Sequence, residues 1–304
     1  MRSDVSLGIG DDAALLDVPA EHQLVTTTDV LIADVHFHSS ATPHSIGHKA
    51  LAVNLSDLAA MGATPAWATL GMIIPDIDER WLEKFCDGFF YLAKLYDIDL
   101  VGGDTARGPL MVAIQLMGWV PRGAALKRSG ARSGDHIYIT GTLGDAGLAL
   151  MHLKGLRDLL PDQAATVRQR LDYPCPRVEL GIQLRSLASA AIDVSDGFVA
   201  DLRHLLRCSA VGAEIYLDEL PISKVYQSLY GEIGWEPALT SGDDYELCFT
   251  AAPDRDDEIS TLTELFDIPI TRVGTVTIGS DIVFFDREGQ QHSPKHTGYD
   301  HFGV

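Results

Sequence analysis

KALAVNLSDLAAMGATPAW, residues 49–67, is the stretch on which the reading of this chain turns. It continues a helical pattern that begins at Pro43. At about 100° per residue, Ile46, Ala50, Val53 and Asp57 share one stripe, while Leu51, Leu55 and Leu58 occupy the opposite side. A helix over residues 43–61 that is apolar nearly all round is expected to be buried nearly all round. Thr42 suits its N-cap, Pro43 its first position, and Gly62 closes it. An ionised carboxylate on such a helix is costly unless it is paired or bound to metal. Lys49 stands two turns earlier and offset, a poor intrahelical partner, so Asp57 is a candidate metal ligand.

Around this helix the first part of the chain alternates strand and helix. Strands are expected over residues 23–28, 66–74, 98–101 and 110–120. A helix is expected over 78–96, with Trp81, Leu82, Phe85, Phe89, Leu92 and Leu95 at helical spacing. The composition then shifts to PRGAALKRSGARSGD, residues 121–135, which marks a domain boundary. The division that follows is 1–133 and 134–304. The second part predicts strands over 136–140, 190–194, 213–217, 246–251, 271–276 and 281–285, and helices over 145–154, 177–189 and 198–208. Helices and strands are mixed rather than strictly alternating, the pattern of two α+β domains.

The chain has 304 residues, 46% of them hydrophobic and 22% charged, enough to bury a substantial core. Its 23 basic and 43 acidic residues give a net charge of −20, a field that repels nucleic acid and anionic membranes. Cys86, Cys175, Cys208 and Cys248 lie far apart without CxxC spacing, which argues against a zinc site or disulfide framework and for reduced thiols in a cytoplasm. Neither a signal peptide nor an apolar run long enough to span a membrane is expected.

Several other aspartates sit beside glycine, serine or threonine where strands are expected to end: Asp11 and Asp12 in GIGDDA, Asp29 in TTTDV, Asp104 in VGGDT, and Asp193 and Asp196 in IDVSDG. Magnesium takes oxygen ligands, keeps several waters and shares a few carboxylates with substrate phosphates, a task for which short aspartates with neighbouring hydroxyls are suited. The competing account of any one of them is that Asp and Gly make turns. There is no GxxxxGK[ST], no HExxH and no GxSxG. The GIGDDA turn carries two carboxylates that would repel a dinucleotide pyrophosphate. The turn at residues 141–147, GTLGDAG, is open to two readings, a phosphate site at a helix start or a tight strand–helix connection. Lys127, Arg128 and Arg132 form a compact basic patch, either a solvated linker or a phosphate grip. His36, taken alone, reads as structural.

Together the strings GIGDDAALL, TTDVLIADVHF, KALAVNLSDLAAMGATPAW, GGDTARGP, LKRSGARSGD, IDVSDG, GDDYELCF and GYDHF resemble, in this order, the thiamine-monophosphate kinase family, from about Leu7 to Phe302. The resemblance implies a two-domain fold of the aminoimidazole ribonucleotide synthetase type, with an N-terminal α/β sandwich-type domain that binds metal and ATP and dimerises, and a C-terminal α+β domain that completes the ATP and substrate sites. It implies ATP-dependent phosphorylation of thiamine monophosphate with Mg2+. By motif it assigns Asp12, Thr27, Thr28, Asp29, Asp57, Asp104, Asp193 and Asp196 to magnesium, Gly103, Arg128 and Ser195 to ATP, and His36, Asp243 and Tyr299 to the thiamine phosphate. Two features depart from the family pattern. SGDDYEL, residues 241–247, has Asp243 where the family usually has Glu, and fewer residues than usual precede GIGDD.

Because the implied acceptor is itself a phosphate with a second pKa near 6, no general base is expected, and transfer should be direct, without a phosphoenzyme. The alternatives are another ATP-dependent transferase or synthetase of the same superfamily, a metal-dependent phosphatase, and a non-catalytic nucleotide or metal sensor.

Overall fold

In the computed structural model, which describes residues 2–231 and 234–299, the first part of the chain forms β1 (Val5–Leu7), β2 (Leu15–Leu16), β3 (His22–Ile32), α1 (Pro43–Ala60), β4 (Thr64–Ile74), α2 (Glu79–Leu95), β5 (Asp99–Arg107) and β6 (Met111–Pro121). β1 and β2 pair as a hairpin, and the other strands form a sheet in the order β3-β6-β4-β5. Side chains alternate across β3, so Thr27, Asp29 and Leu31 face one way while Leu24, Thr28, Val30 and Ile32 are exposed on the other.

The helix expected over 43–61 is α1. The Thr42 side chain accepts the Ser45 N–H at 3.1 Å, and the N–H groups of Gly62 and Ala63 return to the carbonyls of Ala59 and Leu58. Every residue from Ser45 to Ala60 is buried except Asp57. Two glycines let α2 come this close: a Cβ on Gly47 would stand 2.1 Å from the Phe85 carbonyl oxygen, and one on Gly88 1.9 Å from that of His44. Any larger residue at either position would separate the helices.

The second part contributes β7 (His136–Thr140), α3 (Asp145–Leu153), α4 (Pro161–Asp172), α5 (Val178–Leu184), β8 (Ala190–Val194), α6 (Phe198–Ser209), β9 (Gly212–Tyr216), α7 (Lys224–Tyr230), α8 (Glu236–Thr240), β10 (Glu246–Ala251), α9 (Asp256–Phe266), β11 (Ile270–Thr277), β12 (Ile282–Phe285) and β13 (Gln291–His292). Its sheet runs β13-β12-β9-β11-β7-β10-β8, antiparallel except where β12 lies parallel to β9. One apolar core lies inside this part. Another spans both parts: Leu51, Leu55 and Leu58 of α1 belong with Leu180 and Leu184 of α5, Ala191 of β8 and Phe249 of β10.

Three expectations change, and four helices join those expected. β3 continues past Thr28 to Ile32 because β6 pairs with it throughout, and β5 continues to Arg107 along β4, so Asp29 and Asp104 lie within strands rather than after them. The helix expected over 177–189 is only Val178–Leu184. Helices α4 and α9 were not visible in the sequence pattern because each buries a thin stripe, Val167 and Leu171 in one, Ile259 and Leu262 in the other. Helices α7 and α8 are too short for periodicity to register.

Because one core joins the two parts, they should unfold together. Leu58→Ala is expected to cost about 2–5 kcal/mol and to shift denaturant unfolding curves from tryptophan fluorescence and far-ultraviolet circular dichroism by the same amount; two separated transitions would show that the parts are independent.

Candidate active site

Helix α1 carries two of its polar residues, Ser56 and Asp57, to the place where β3 and β8 end up beside it. The Thr27 hydroxyl on β3 donates to the Asp57 carboxylate. The Ser56 hydroxyl donates to Asp193 Oδ2 at 2.9 Å, and Asp193, next to last in β8, is 4% exposed. Asp29, two residues beyond Thr27, shares its side of β3. Burial pushes the Asp29 carboxyl up to about 7, and the Asp57 charge adds to the rise. Burial also raises Asp57, against the Thr27 hydrogen bond and the charge of Arg128. Asp193 is raised well above the ordinary carboxylate range, by burial first and then by the charges of Asp57 and Asp201. Three carboxylates from two parts of the chain thus feel one another in a desolvated place, and among the described residues none of them has a salt-bridge partner.

A second group adjoins this one. The N–H groups of Ser195 and Asp196 both donate to Asp201 Oδ2 at 3.0 Å, which fixes the turn after β8. The turn in turn holds its neighbours by main-chain bonds: Asp243 N–H to the Ser195 carbonyl at 2.8 Å, Tyr245 N–H to that of Val194 at 2.8 Å, and Tyr299 N–H to that of Asp196 at 2.9 Å. Lys49 Nζ lies 3.1 Å from Asp243 Oδ1 and donates to the His36 carbonyl at 3.0 Å. The Tyr245 phenol is raised by burial and then by the charges of Asp243, Asp29 and Asp193, which places this group against the carboxylates. His36, Ser195, Asp196, Asp243 and Tyr299 are therefore gathered at one edge. The remainder of GYDHF, residues 300–302, lies outside the described residues.

The other candidates stand apart. Asp12, Gly103 and Asp104 line a cavity of about 460 Å³ between residues 9–14 and β5. A Cβ on Gly103 would lie 2.1 Å from the Leu70 carbonyl oxygen, so only glycine lets β5 sit this close to β4. Asp29, Ile114, Leu70 and Gly103 form one row across the sheet. Three strand spacings separate its ends, about 14 Å, so Asp104 does not meet Asp29 within one chain. The Thr28 side chain faces away from Asp29. Arg128 is exposed on a loop that Ser209 ties to α6, and its charge reaches Asp57 and Asp201.

The turn at 141–147 resolves as a tight connection, because the Gly144 N–H is taken by both oxygens of buried Asp244 and Asp145 is buried beside it. An incoming phosphate would meet two carboxylates. The sequence reading missed Lys49 as a partner for Asp243, and also Ser56, Tyr245 and Asp201. Ser56 and Lys49 were signalled, as polar residues on an otherwise apolar helix.

Among the described residues no three His, Cys, Asp or Glu side chains enclose a metal ion by themselves. The groups brought together, Asp29, Asp57 and Asp193 with the Thr27 and Ser56 hydroxyls, are all oxygens, the ligand type that magnesium takes. Hard oxygen donors with unbalanced negative charge in a desolvated setting are the donor set for such an ion. No helix among the described residues is long and apolar enough to cross a membrane.

Residues 10–120 match the AIR synthase related protein N-terminal domain and residues 132–287 its C-terminal domain. Thiamine-monophosphate kinase of Escherichia coli K12 is 45% identical over 306 residues, covering 100% of this chain and 94% of that protein. The crystal structure of thiamine-monophosphate kinase from Stenotrophomonas maltophilia K279a is 48% identical, with a TM-score of 0.89, covering 96% of this chain and 93% of that one. A structure of AaThiL complexed with AMPPCP and TMP is 33% identical, with a TM-score of 0.82, covering 98% and 93%. The chain belongs to the AIR synthase related proteins and, among them, to the thiamine-monophosphate kinase family.

Proposed function

We propose that this chain transfers the γ-phosphoryl group of ATP to thiamine monophosphate, giving thiamine diphosphate and ADP. The observation that carries the proposal is the meeting of Asp29, Asp57 and Asp193 from both parts of the chain, without a salt bridge to any of them among the described residues, in a protein akin along its whole length to thiamine-monophosphate kinases. Asp12, Thr27, Thr28, Asp29, Asp57, Asp104, Asp193 and Asp196 are the proposed holders of Mg2+, with Thr28 contributing through its backbone. Bound there, the ion supplies neutralisation of the phosphate charges. Gly103, Arg128 and Ser195 serve ATP, and His36, Asp243 and Tyr299 the thiamine phosphate. Residues 1–133 bind metal and ATP and form the dimer contact, and residues 134–304 complete the ATP and substrate sites.

The chemistry asks the protein for alignment rather than for a base. An acceptor phosphate at neutral pH is already a nucleophile. Asp201 holds the 195–196 turn, and that turn holds Asp243 and Tyr299, so the acceptor contacts are fixed relative to Asp193. Thr27 and Ser56 orient Asp57 and Asp193. Preorganised groups of this kind lower the barrier by holding reactants in line.

A homodimer formed through the open face of the first sheet is part of the proposal. Leu24, Val30 and Ile32 are exposed there, and a second copy joined along the sheet edges would bring one chain's Asp104 edge to the other's Asp29 edge. A cytoplasmic setting is proposed from the cysteines, all four free.

Incubation with ATP, Mg2+ and thiamine monophosphate should yield thiamine diphosphate, identified by mass spectrometry, and Asp57→Asn should cut turnover by about a hundred- to a thousandfold, the loss of one preorganised electrostatic group, with folding intact. Free phosphate in place of the diphosphate would mark a phosphatase, and normal turnover by the variant would remove Asp57 from the site.

Asp29 generates a pH prediction. Its folded pKa is raised, so between about 4 and 7 the unfolded chain releases this proton while the fold retains it, and stability falls as pH rises. Asp29→Asn should therefore raise the melting temperature of the metal-free protein at pH 8 but not at pH 4, and Mg2+ should stabilise the wild type more than the variant. Equal melting curves at pH 8 would contradict the desolvated carboxylate.

Val30→Lys should convert the dimer to monomer in sedimentation velocity; a wild-type chain that already sediments as a monomer would dismiss the dimer.

A further inference from the structure

Lys49 is among the most deeply buried charged residues of the first part of the chain, 2% exposed on a helix buried along nearly its whole length. A buried ammonium is tolerated only where its donors are satisfied, and single removal of a partner leaves an uncompensated charge. Its partners here come from two different segments: the His36 carbonyl, in the loop between β3 and α1, and the Asp243 carboxylate, in the loop before β10. Both segments carry a residue proposed to touch the thiamine phosphate.

The 241–245 loop is itself held in an unusual conformation. Asp243 and Tyr245 adopt φ of 69° and 50°, left-handed backbone that non-glycine residues occupy only when their surroundings compel it. Asp243 N–H bonds the Ser195 carbonyl, and its Oδ1 accepts from the Tyr245 hydroxyl at 3.0 Å and forms an ion pair with Lys49 Nζ at 3.1 Å. Gly242 packs so tightly against the same turn that a Cβ would stand 2.3 Å from the Ser195 carbonyl oxygen. The loop is thus pinned from below by main-chain bonds and from the side by one ammonium.

We propose that Lys49 is a positioning residue for the acceptor substrate: its ammonium ties the His36 loop of the first part to Asp243 of the second, and so sets the width of the thiamine-phosphate site. The proposal rests on the functional reading above and extends it to a residue that this reading does not use. It also accounts for aspartate at position 243. With the carboxylate already 3.1 Å from Lys49 Nζ, the shorter side chain completes the pair, and an added methylene would have to push the loop or the ammonium aside. Lys49 shares α1 with Asp57, two turns away, so the acceptor edge and the carboxylate cluster are referenced to one rigid element.

The test is a cycle of Lys49→Met, Asp243→Asn and the double variant, each assayed for thiamine diphosphate formation and for melting temperature. Lys49→Met is expected to raise the KM for thiamine monophosphate about tenfold, the loss of roughly one charge-assisted contact, while the KM for ATP stays within about twofold. The double variant should be no worse than the poorer single one, since the two side chains act as a unit. Tyr245→Phe, which deletes one hydrogen bond without stranding a charge, should raise the same KM by a smaller factor and serves if Lys49→Met does not fold. An unchanged thiamine-monophosphate KM in Lys49→Met, equal effects on both substrates, or multiplying effects in the double variant would each overturn the proposal. The coupling between Lys49 and Asp243 in melting temperature is read without any turnover, so a wild-type chain that forms no thiamine diphosphate overturns the functional reading, whereas absent coupling overturns the lock.

Discussion

Charge held out of water on a helix that has no free face is the constraint from which the rest of this structure follows. Asp57 is the one position between Ser45 and Ala60 that is not buried; its charge raises the proton affinity of Asp29, and both of them raise that of Asp193. Carboxylates in that state destabilise a fold at neutral pH unless a cation joins them. The apolar packing of α1 supplies the stability that such a cluster spends, by burying leucines against both parts of the chain at once. Site and core are therefore the same helix seen from different sides.

That coupling dictates details elsewhere. For α1 to be buried on every side, α2 must approach it at backbone distance, which Gly47 and Gly88 permit. For Asp57 to face Thr27, β3 must present alternate residues to the helix, and this sends Leu24, Thr28, Val30 and Ile32 outward. An exposed apolar row on the open face is thus a geometric consequence of placing Asp29 and Thr27 inward, since a two-residue period cannot serve one face alone. The same sheet places Asp104 on the strand farthest from Asp29, so carboxylates that read alike in sequence divide into two stations, one at each edge.

Periodicity made α1, its caps and the exceptional standing of Asp57 legible, because an acidic residue within a long, largely apolar helical pattern is a strong signal. It could not show that Asp29 and Asp104 lie within strands, since strand length here is set by the partner strand rather than by propensity. Motif resemblance named Asp243, but only coordinates show it bonded to Lys49, a residue almost two hundred positions earlier in the chain. Asp201 escaped notice for a related reason: a carboxylate inside a helix reads as surface charge until its hydrogen bonds to Ser195 and Asp196 are seen. The glycine-rich turn at 141–147 looked hospitable to phosphate in sequence, and its occupation by Asp244 is a long-range fact that no local pattern encodes.

The balance of charge around the site also explains how a chain with a net charge of −20 can receive two anionic substrates. A uniformly negative surface would slow their approach. Arg128 lies where its field reaches Asp57 and Asp201, and Arg203 and Arg207 act with it on His204. Basic and acidic side chains therefore stand side by side at the site, so that a polyphosphate has arginines to meet and a divalent ion has aspartates, and neither depends on the net charge of the protein.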